Sequence, residues 1–249
     1  MKKILLLLLA VPLLTHGQEG VADTAAQVVG AYLRSMNCDA LRSDSILYIE
    51  SKIAVRGSGD TVTMRRWFGT GNRMRIEIWH RGRLERCQYS AGRQIFHSYT
   101  SNEGKWKIVA RDTYYDITQP YRFSGPLYRW EMQGEELTYL GGGLFEGRPI
   151  DRVEARNGNH YDRTYYFDRG SHLLFLYTES NRVNGEDMTS EGKLRVDWHM
   201  YHEYISIGGM LLPRSESYQH QGEITLIFHT PRYIATDQRL FTQDGEARQ

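Results

Sequence analysis

The sequence has little net charge, few cysteines and no long apolar run. Among its 249 residues, 31 Lys and Arg face 30 Asp and Glu, and only two residues are cysteine. A near-zero net charge removes the general attraction on which nucleic-acid binders and anionic-membrane binders depend. The one apolar stretch, residues 4–14, is shorter than the roughly 20 residues that a membrane-spanning helix needs. These absences argue against a nucleic-acid binder and a membrane-spanning protein.

The composition that remains is typical of a β-rich globular protein. Hydrophobic residues make up 40% of the chain and charged residues 24%, a normal globular mixture. The 17 Tyr, eight Phe and five Trp favour the half-buried surface of a sheet. No repeat or linker divides the chain, so we expect a single domain.

Residues 1–17 have the pattern of a secretory signal peptide. Two lysines precede the apolar residues 4–14, and small residues follow them. We expect cleavage after Gly17, which would leave 18–249 as one soluble, exported domain. An uncleaved anchor is the alternative. A lipid anchor is not expected, because the first cysteine is Cys38.

The two cysteines leave two possibilities open. Cys38 and Cys87 form an even pair, and an oxidising compartment would allow one disulfide between them. They could equally be two unrelated buried thiols. Sequence alone does not give the distance that a disulfide requires.

One helix is predicted, and the rest of the pattern is that of strands. Apolar residues recur at helical spacing over 21–36, with Asp23 or Thr24 as a cap and Asn37 as the stop. From residue 46 onward the period is two, with turn residues every 8–12 positions, which indicates a meandering antiparallel sheet or barrel. Strands are predicted over 46–55, 73–78, 84–89, 94–99, 106–110, 137–140, 150–155, 161–167, 173–180, 194–205, 212–218 and 223–229.

Residues 112–135 break this pattern. They contain two prolines and many aromatic residues without clean alternation. We interpret them as an irregular lid, with short helical pieces, lying across one face of the sheet. Connections of this length inside a compact domain are usually functional.

The sequence contains none of three common catalytic motifs. GxSxG, HExxH and the phosphate-binding P-loop are all missing. His199 and His202 fall on a strand, where a spacing of three sends them to opposite faces, so we interpret them as surface histidines. Residues 141–143 are three glycines and are predicted to form a plain turn. We therefore expect no enzyme, no cofactor and no metal site.

Arginines cluster in the region of the predicted strand over 73–78. The simplest interpretation is the solvated face of a hairpin, because Arg73, Arg75 and Glu77 are too charged to bury unpaired. The arginines of this cluster are Arg73, Arg75, Arg81, Arg83 and Arg86.

Two interpretations of the sheet's apolar face remain open. A curved sheet under one helix and a lid leaves an apolar cavity that suits an acyl chain, or aromatic side chains fill the space as in a packed barrel. Strand parity predicts the side chains that face this space. The predicted cavity residues are Leu47, Ile49, Met74, Ile76, Ile78, Val153, Leu226 and Phe228. The predicted lid residues are Tyr114, Tyr121, Phe123 and Leu127.

Several segments resemble one family. FSGPLYRW, LFEGRPIDRVEA and RTYYFDRGSHLL lie within 123–174, YISIGGMLLPRSE spans 204–216, and FHTPRYIATDQRLF spans 228–241. Together they resemble the LolA-like outer-membrane lipoprotein-sorting proteins of Gram-negative bacteria. The chain departs from the family pattern at an early arginine, where Thr70 or Gly71 falls, and at an aspartate, where Ala91 stands.

The resemblance implies a fold and a function. The fold would be mainly β, a wide antiparallel sheet curved into an incomplete β-barrel, with an N-terminal helix and a lid. The function would be that of a periplasmic chaperone whose hollow shields the acyl chains of lipoproteins or related lipids. It would act as a monomer, with membrane-bound donor and acceptor proteins as partners. A non-enzymatic sensory or structural periplasmic module is the alternative.

Overall fold

The computed structural model describes most of the predicted globular domain. It covers residues 24–55, 57, 59–71, 73–91, 96–109, 125–127, 130, 135–157, 161–181, 196–220, 222–235 and 237–242. The predicted signal peptide lies outside these residues, as do three of the predicted lid residues, Tyr114, Tyr121 and Phe123.

The described residues form one antiparallel sheet of thirteen strands. Its spatial order is β6-β5-β4-β3-β2-β1-β13-β12-β11-β10-β9-β8-β7, so β1 and β13 join two meanders and the sheet stays open. This confirms the predicted wide, mainly antiparallel architecture. The strands are β1 (Ser45–Val55), β2 (Thr61–Gly69), β3 (Arg73–His80), β4 (Arg83–Ala91), β5 (Phe96–Thr100), β6 (Lys105–Val109), β7 (Glu136–Phe145), β8 (Arg148–Asn157), β9 (Tyr161–Asp168), β10 (Leu174–Asn181), β11 (Val196–Ile207), β12 (Met210–His220) and β13 (Glu223–Ala235).

Tight turns produce the meander. Arg81 and Gly82 both have positive φ, 49° and 77°, and Gly208 and Gly209 have φ of 59° and 88°. Two central residues of positive φ give a turn whose twist matches that of the flanking strands. Both turns were predicted from the sequence.

Strand β7 corrects one prediction. The glycines at 141–143 lie inside this strand and not in a turn. A bulge between Tyr139 and Gly141 shifts the register, and Gly141 takes a φ of 90° that glycine adopts without strain. Strand β2 had no sequence prediction at all.

The helix α1 (Ala25–Met36) begins and ends at recognisable caps. Thr24 accepts a hydrogen bond from the amide of Gln27, whose side chain accepts one from the Thr24 amide. Asn37 ends the helix in the left-handed conformation. The predicted cap at Thr24 and stop at Asn37 are both found.

We call the face of the sheet that packs against α1 the inner face. Two buried apolar clusters lie on it. The helix cluster consists of Ala25, Val28, Val29, Tyr32, Met36, Cys38, Leu127, Val153, Ala155, Tyr165, Phe167 and Leu174. The strand cluster consists of Leu47, Ile49, Met64, Phe68, Met74, Ile76, Met210 and Leu212.

The outer face of β3 corrects a second prediction. Arg75 is completely buried and Glu77 nearly so, although both were expected to face solvent. Arg75 Nε donates to Glu77 Oε1 at 2.7 Å, and the indole of Trp79 donates to Glu77 Oε2 at 2.8 Å. A C-terminal 3₁₀ helix (Gln238–Phe241) lies beside this pair and offers the Leu240 carbonyl to Arg75 at 3.4 Å. Burial is possible because the charges are paired.

Cys38 and Cys87 are not joined by a disulfide, and both are buried. Cys38 belongs to the helix cluster on the inner face. Cys87 pairs in register with Glu77, so it lies on the outer face of β4. Of the two possibilities left open by the sequence, the structure has the one with two separate thiols.

Candidate ligand site beneath the helix

A small cavity lies between α1 and the middle of the inner face. Its volume is about 30 Å³, and it sits where the helix cluster meets the strand cluster. Such a volume holds one or two water-sized groups. The cavity is lined by Tyr32, Met36, Ile49, Arg66, Gly125, Tyr201, Leu212, Pro213, Glu216 and His229.

One wall of this cavity requires a glycine at position 125. Gly125, from the predicted lid, has a φ of 76°, and a Cβ atom there would overlap the Tyr32 hydroxyl. Glycine therefore allows the 125–127 segment to lie directly against α1. Leu127 continues this contact, since it is fully buried in the helix cluster.

The floor of the cavity is a buried polar network. Glu216 on β12 accepts from two histidines, through Oε2 from His199 Nε2 at 2.5 Å and through Oε1 from His229 Nε2 at 2.7 Å. On the other side of its ring, His229 Nδ1 lies 2.8 Å from Ser51 Oγ. Arg66 Nη2 donates to Ser51 Oγ at 3.0 Å and lies 3.1 Å from His229 Nδ1. Five strands thus contribute one polar group each.

The hydrogen bonds assign the protonation of this network. Arginine can only donate, so His229 Nδ1 is an acceptor and its Nε2 carries the proton given to Glu216. Burial lowers the pKa of His229 and the Arg66 charge lowers it further, which keeps the ring neutral. Burial tends to raise the pKa of Glu216, but the electrostatic effect of His199 and the hydrogen bonds from both His199 and His229 hold it well below its usual range. The cavity floor therefore presents one fixed cation and one fixed anion.

A Ser-His-Glu arrangement invites comparison with a hydrolase triad. Here Ser51 has no exposed surface, and it does not line the cavity. Arg66 also occupies the ring nitrogen of His229 that would have to take the serine proton. A base needs that nitrogen free and within reach of the substrate. The arrangement suits binding and not nucleophilic attack.

The predicted cavity residues separate into three groups. Leu47, Ile49, Met74 and Ile76 are buried in the strand cluster, and Ile78 packs against it. Ile49 also lines the cavity.

Val153 is buried on the same face but belongs to the helix cluster, which also contains the predicted lid residue Leu127.

The third group is Leu226 and Phe228, which lie on the outer face. They are 37% and 56% exposed, and their neighbour in register, Ile227, pairs with Ile53 on the inner face. Apolar residues lie on both faces of β13, so the prediction from hydrophobicity alone assigned the wrong face to the interior. The inward parity is the one that holds His229.

His199 corrects the interpretation of both histidines as surface residues. The two do lie on opposite faces of β11, as predicted, with His202 bonded to Ser217. His199, however, is buried in an interior strand. Its ring lies between those of Tyr177 and Tyr201, with a distance of 5.0 Å between ring centroids in each pair.

Sequence reasoning did not identify the other members of the network. Their signal was a polar residue at an inward position of an otherwise apolar strand. Ser51 between Ile49 and Ile53 is one example, and Arg66 between Met64 and Phe68 is another.

The chain has an open antiparallel sheet with one helix across its inner face, a fold that it shares with solved LolA-like structures. It superposes on a LolA superfamily protein from Nitrosomonas europaea with a TM-score of 0.59 at 11% identity, over 90% of this chain and 100% of that one. An outer membrane lipoprotein-sorting protein domain from Vibrio parahaemolyticus gives 0.57 at 9% identity, over 86% and 97%.

A DUF1329 family protein from Desulfovibrio piger is equally similar, with a TM-score of 0.59 at 11% identity over 91% of this chain and 100% of that one. At such identities the likeness is one of fold. No protein-family profile and no curated protein sequence matches the chain.

Two further properties of the described residues concern membrane spans and metal sites. None of their helices combines the length and apolar character required to cross a bilayer. Within the same residues, no three His, Cys, Asp or Glu side chains are grouped so that they could hold a metal ion.

Proposed function

We propose that the protein is a soluble periplasmic carrier, without catalytic activity, that shields the acyl chains of lipoproteins or related lipids. The observation that carries the proposal is the inner face. There, two apolar clusters meet at a cavity beneath a single helix, on a sheet that stays open. The LolA-like fold supports the same function, and the predicted signal peptide supports the periplasmic location.

The cavity is too small to hold an acyl chain as it stands. Ligand pockets usually have volumes of roughly 300–1,000 Å³, an order of magnitude more than this one. A chain bound between α1 and the strand cluster must therefore displace α1 from the sheet.

Binding of a fluorescent fatty acid to the delipidated protein tests the proposal. We expect saturable binding in the micromolar range. Ile49→Trp fills the cavity and should weaken binding by about tenfold, since overpacking leaves no space for the ligand. Phe228→Trp is the matched control, because Phe228 lies on the outer face of the neighbouring strand.

Two results would count against a carrier. One is the lack of saturable binding by a delipidated protein that melts cooperatively. The other is equal binding by Ile49→Trp and Phe228→Trp at equal melting temperatures.

The small cavity also favours a second candidate, a sensory or structural module that binds protein partners through the same half-barrel. In such a module the inner face would stay packed. Hydrogen exchange distinguishes the two, because acyl ligand should accelerate exchange of the α1 amides in a carrier and leave it unchanged in a packed module.

A further inference from the structure

The cavity floor differs from the remainder of the inner face in its charge. A site that served hydrocarbon alone would gain nothing from buried ions, and burying them is costly unless they are paired. Here Arg66 is 5% exposed, His229 is 8% exposed, and both line the cavity together with Glu216. In ligand sites a few polar groups among apolar walls fix the orientation of the ligand and its identity.

Apolar walls and a polar floor border the same cavity. Ile49, Leu212 and Met36 border the same cavity as Arg66 and Glu216. A molecule with a short polar head and a long acyl chain matches this arrangement, with the head on the floor and the chain running along the strand cluster. The cavity accepts one or two water-sized groups, so one hydroxyl group of the head fits in it without movement of the sheet.

The two charges on the cavity floor favour some ligand head groups over others. Arg66 offers a donor with a positive charge, and Glu216 offers an acceptor with a negative charge. A hydroxyl can accept from the first and donate to the second. A carboxylate would be attracted by Arg66 but repelled by Glu216. An ammonium group would be attracted by Glu216 but repelled by Arg66.

We infer that the Arg66–Glu216–His229 floor is a head-group subsite that selects acyl lipids with a neutral, hydroxyl-bearing head. This inference rests on the proposed carrier function and narrows its cargo. The chemical class is that of acyl esters with free hydroxyl groups, such as a glycerol monoester.

Three probes with the same labelled acyl chain test this inference: the glycerol monoester, the free acid and the amine. With wild-type protein at neutral pH, we expect the monoester to bind about tenfold more tightly than either charged probe. In Glu216→Gln the repulsion of the acid is removed, so the preference for monoester over acid should fall to about unity.

Glu203→Gln is the matched control, since Glu203 is an exposed residue of the adjacent strand, and it should keep the wild-type preference. Acid or amine that binds wild-type protein as tightly as the monoester would overturn the inference. An unchanged preference in a folded Glu216→Gln would do so too. If Glu216→Gln does not fold, the three wild-type affinities still decide. Binding of all three probes with equal affinity leaves the carrier function standing, whereas binding of none removes both proposals.

Discussion

At the residue scale, the buried network makes stability depend on pH. The ordinary pKa of histidine is about 6.5, and that of His229 is lowered by burial and by Arg66. Below pH 6.5 the unfolded chain therefore binds a proton that the folded chain resists. The free energy of unfolding should fall as the pH drops from about 6.5 to 5, above the range near 4 in which carboxylates titrate.

Melting temperatures measured between pH 8 and pH 5 check this expectation. His229→Gln keeps a side chain that can donate to Glu216 but cannot titrate, so its melting temperature should change less over the same range. A variant that follows the wild-type pH dependence would show that other histidines are responsible.

The residue scale also shows what the polar network replaces. Ser51 and Arg66 stand at inward positions that an ordinary sheet core would give to aliphatic residues. Each forms hydrogen bonds with partners on neighbouring strands, at 2.8 to 3.1 Å. Loss of one partner leaves the others buried and unsatisfied, which costs more than the loss of one exposed hydrogen bond.

At the element scale, the C-terminal 3₁₀ helix acts as part of the outer-face core. Phe241 is 1% exposed and packs with Ile46, Tyr48 and Trp67, on the face opposite α1. Leu240 of this helix and Thr242, which follows it, provide backbone carbonyls to the buried Arg75. An element of four residues thus covers both an apolar cluster and an ion pair.

Phe241→Ala should therefore be strongly destabilising, by about 3–5 kcal/mol, as for other buried Phe→Ala changes. Phe228→Ala, at an exposed site of the same face, should change the free energy of unfolding by less than about 0.5 kcal/mol. Denaturant titration of both variants measures the difference. Similar midpoints for the two would mean that the C-terminal helix contributes little.

At the scale of the whole molecule, the sheet separates the two cysteines of the chain. Cys38 lies on the inner face and Cys87 on the outer face, so a disulfide would require the sheet to open. Burial, with a smaller effect of the Asp39 charge, raises the pKa of Cys38 to about 12. A protonated, buried thiol is a poor nucleophile.

Titration with a thiol reagent should consequently find neither cysteine reactive in the folded protein and both reactive in denaturant. Mass measurement after exposure to an oxidant should show no intramolecular disulfide. A loss of two mass units under native conditions would contradict the arrangement of the two faces.

The whole sheet has two open edges. Strands β6 and β7 end the sheet, and Ile108 on the one and Leu144 on the other are more than 70% exposed. Exposed edges invite pairing with other chains. β6 carries Lys105 and Lys107, and β7 carries a bulge, both of which oppose such pairing.

The sequence by itself determined the local features of this protein. The period of two, the two-residue turns, the helical spacing and the caps of α1 each depend on neighbouring residues, and each was predictable. The parity of β3 was predictable for the same reason, since Met74, Ile76 and Ile78 form one clean apolar face.

Only the tertiary structure decided which face of β13 points inward, which charges are buried and which polar residues meet. The inward face of β13 follows from its register with β1, a pairing between residues 170 to 190 positions apart in the chain. Arg75 is buried because the C-terminal helix docks beside it, although its own strand alternates like a solvated one. The Glu216 network draws single residues from five strands, and local patterns carry no information about contacts made across such distances.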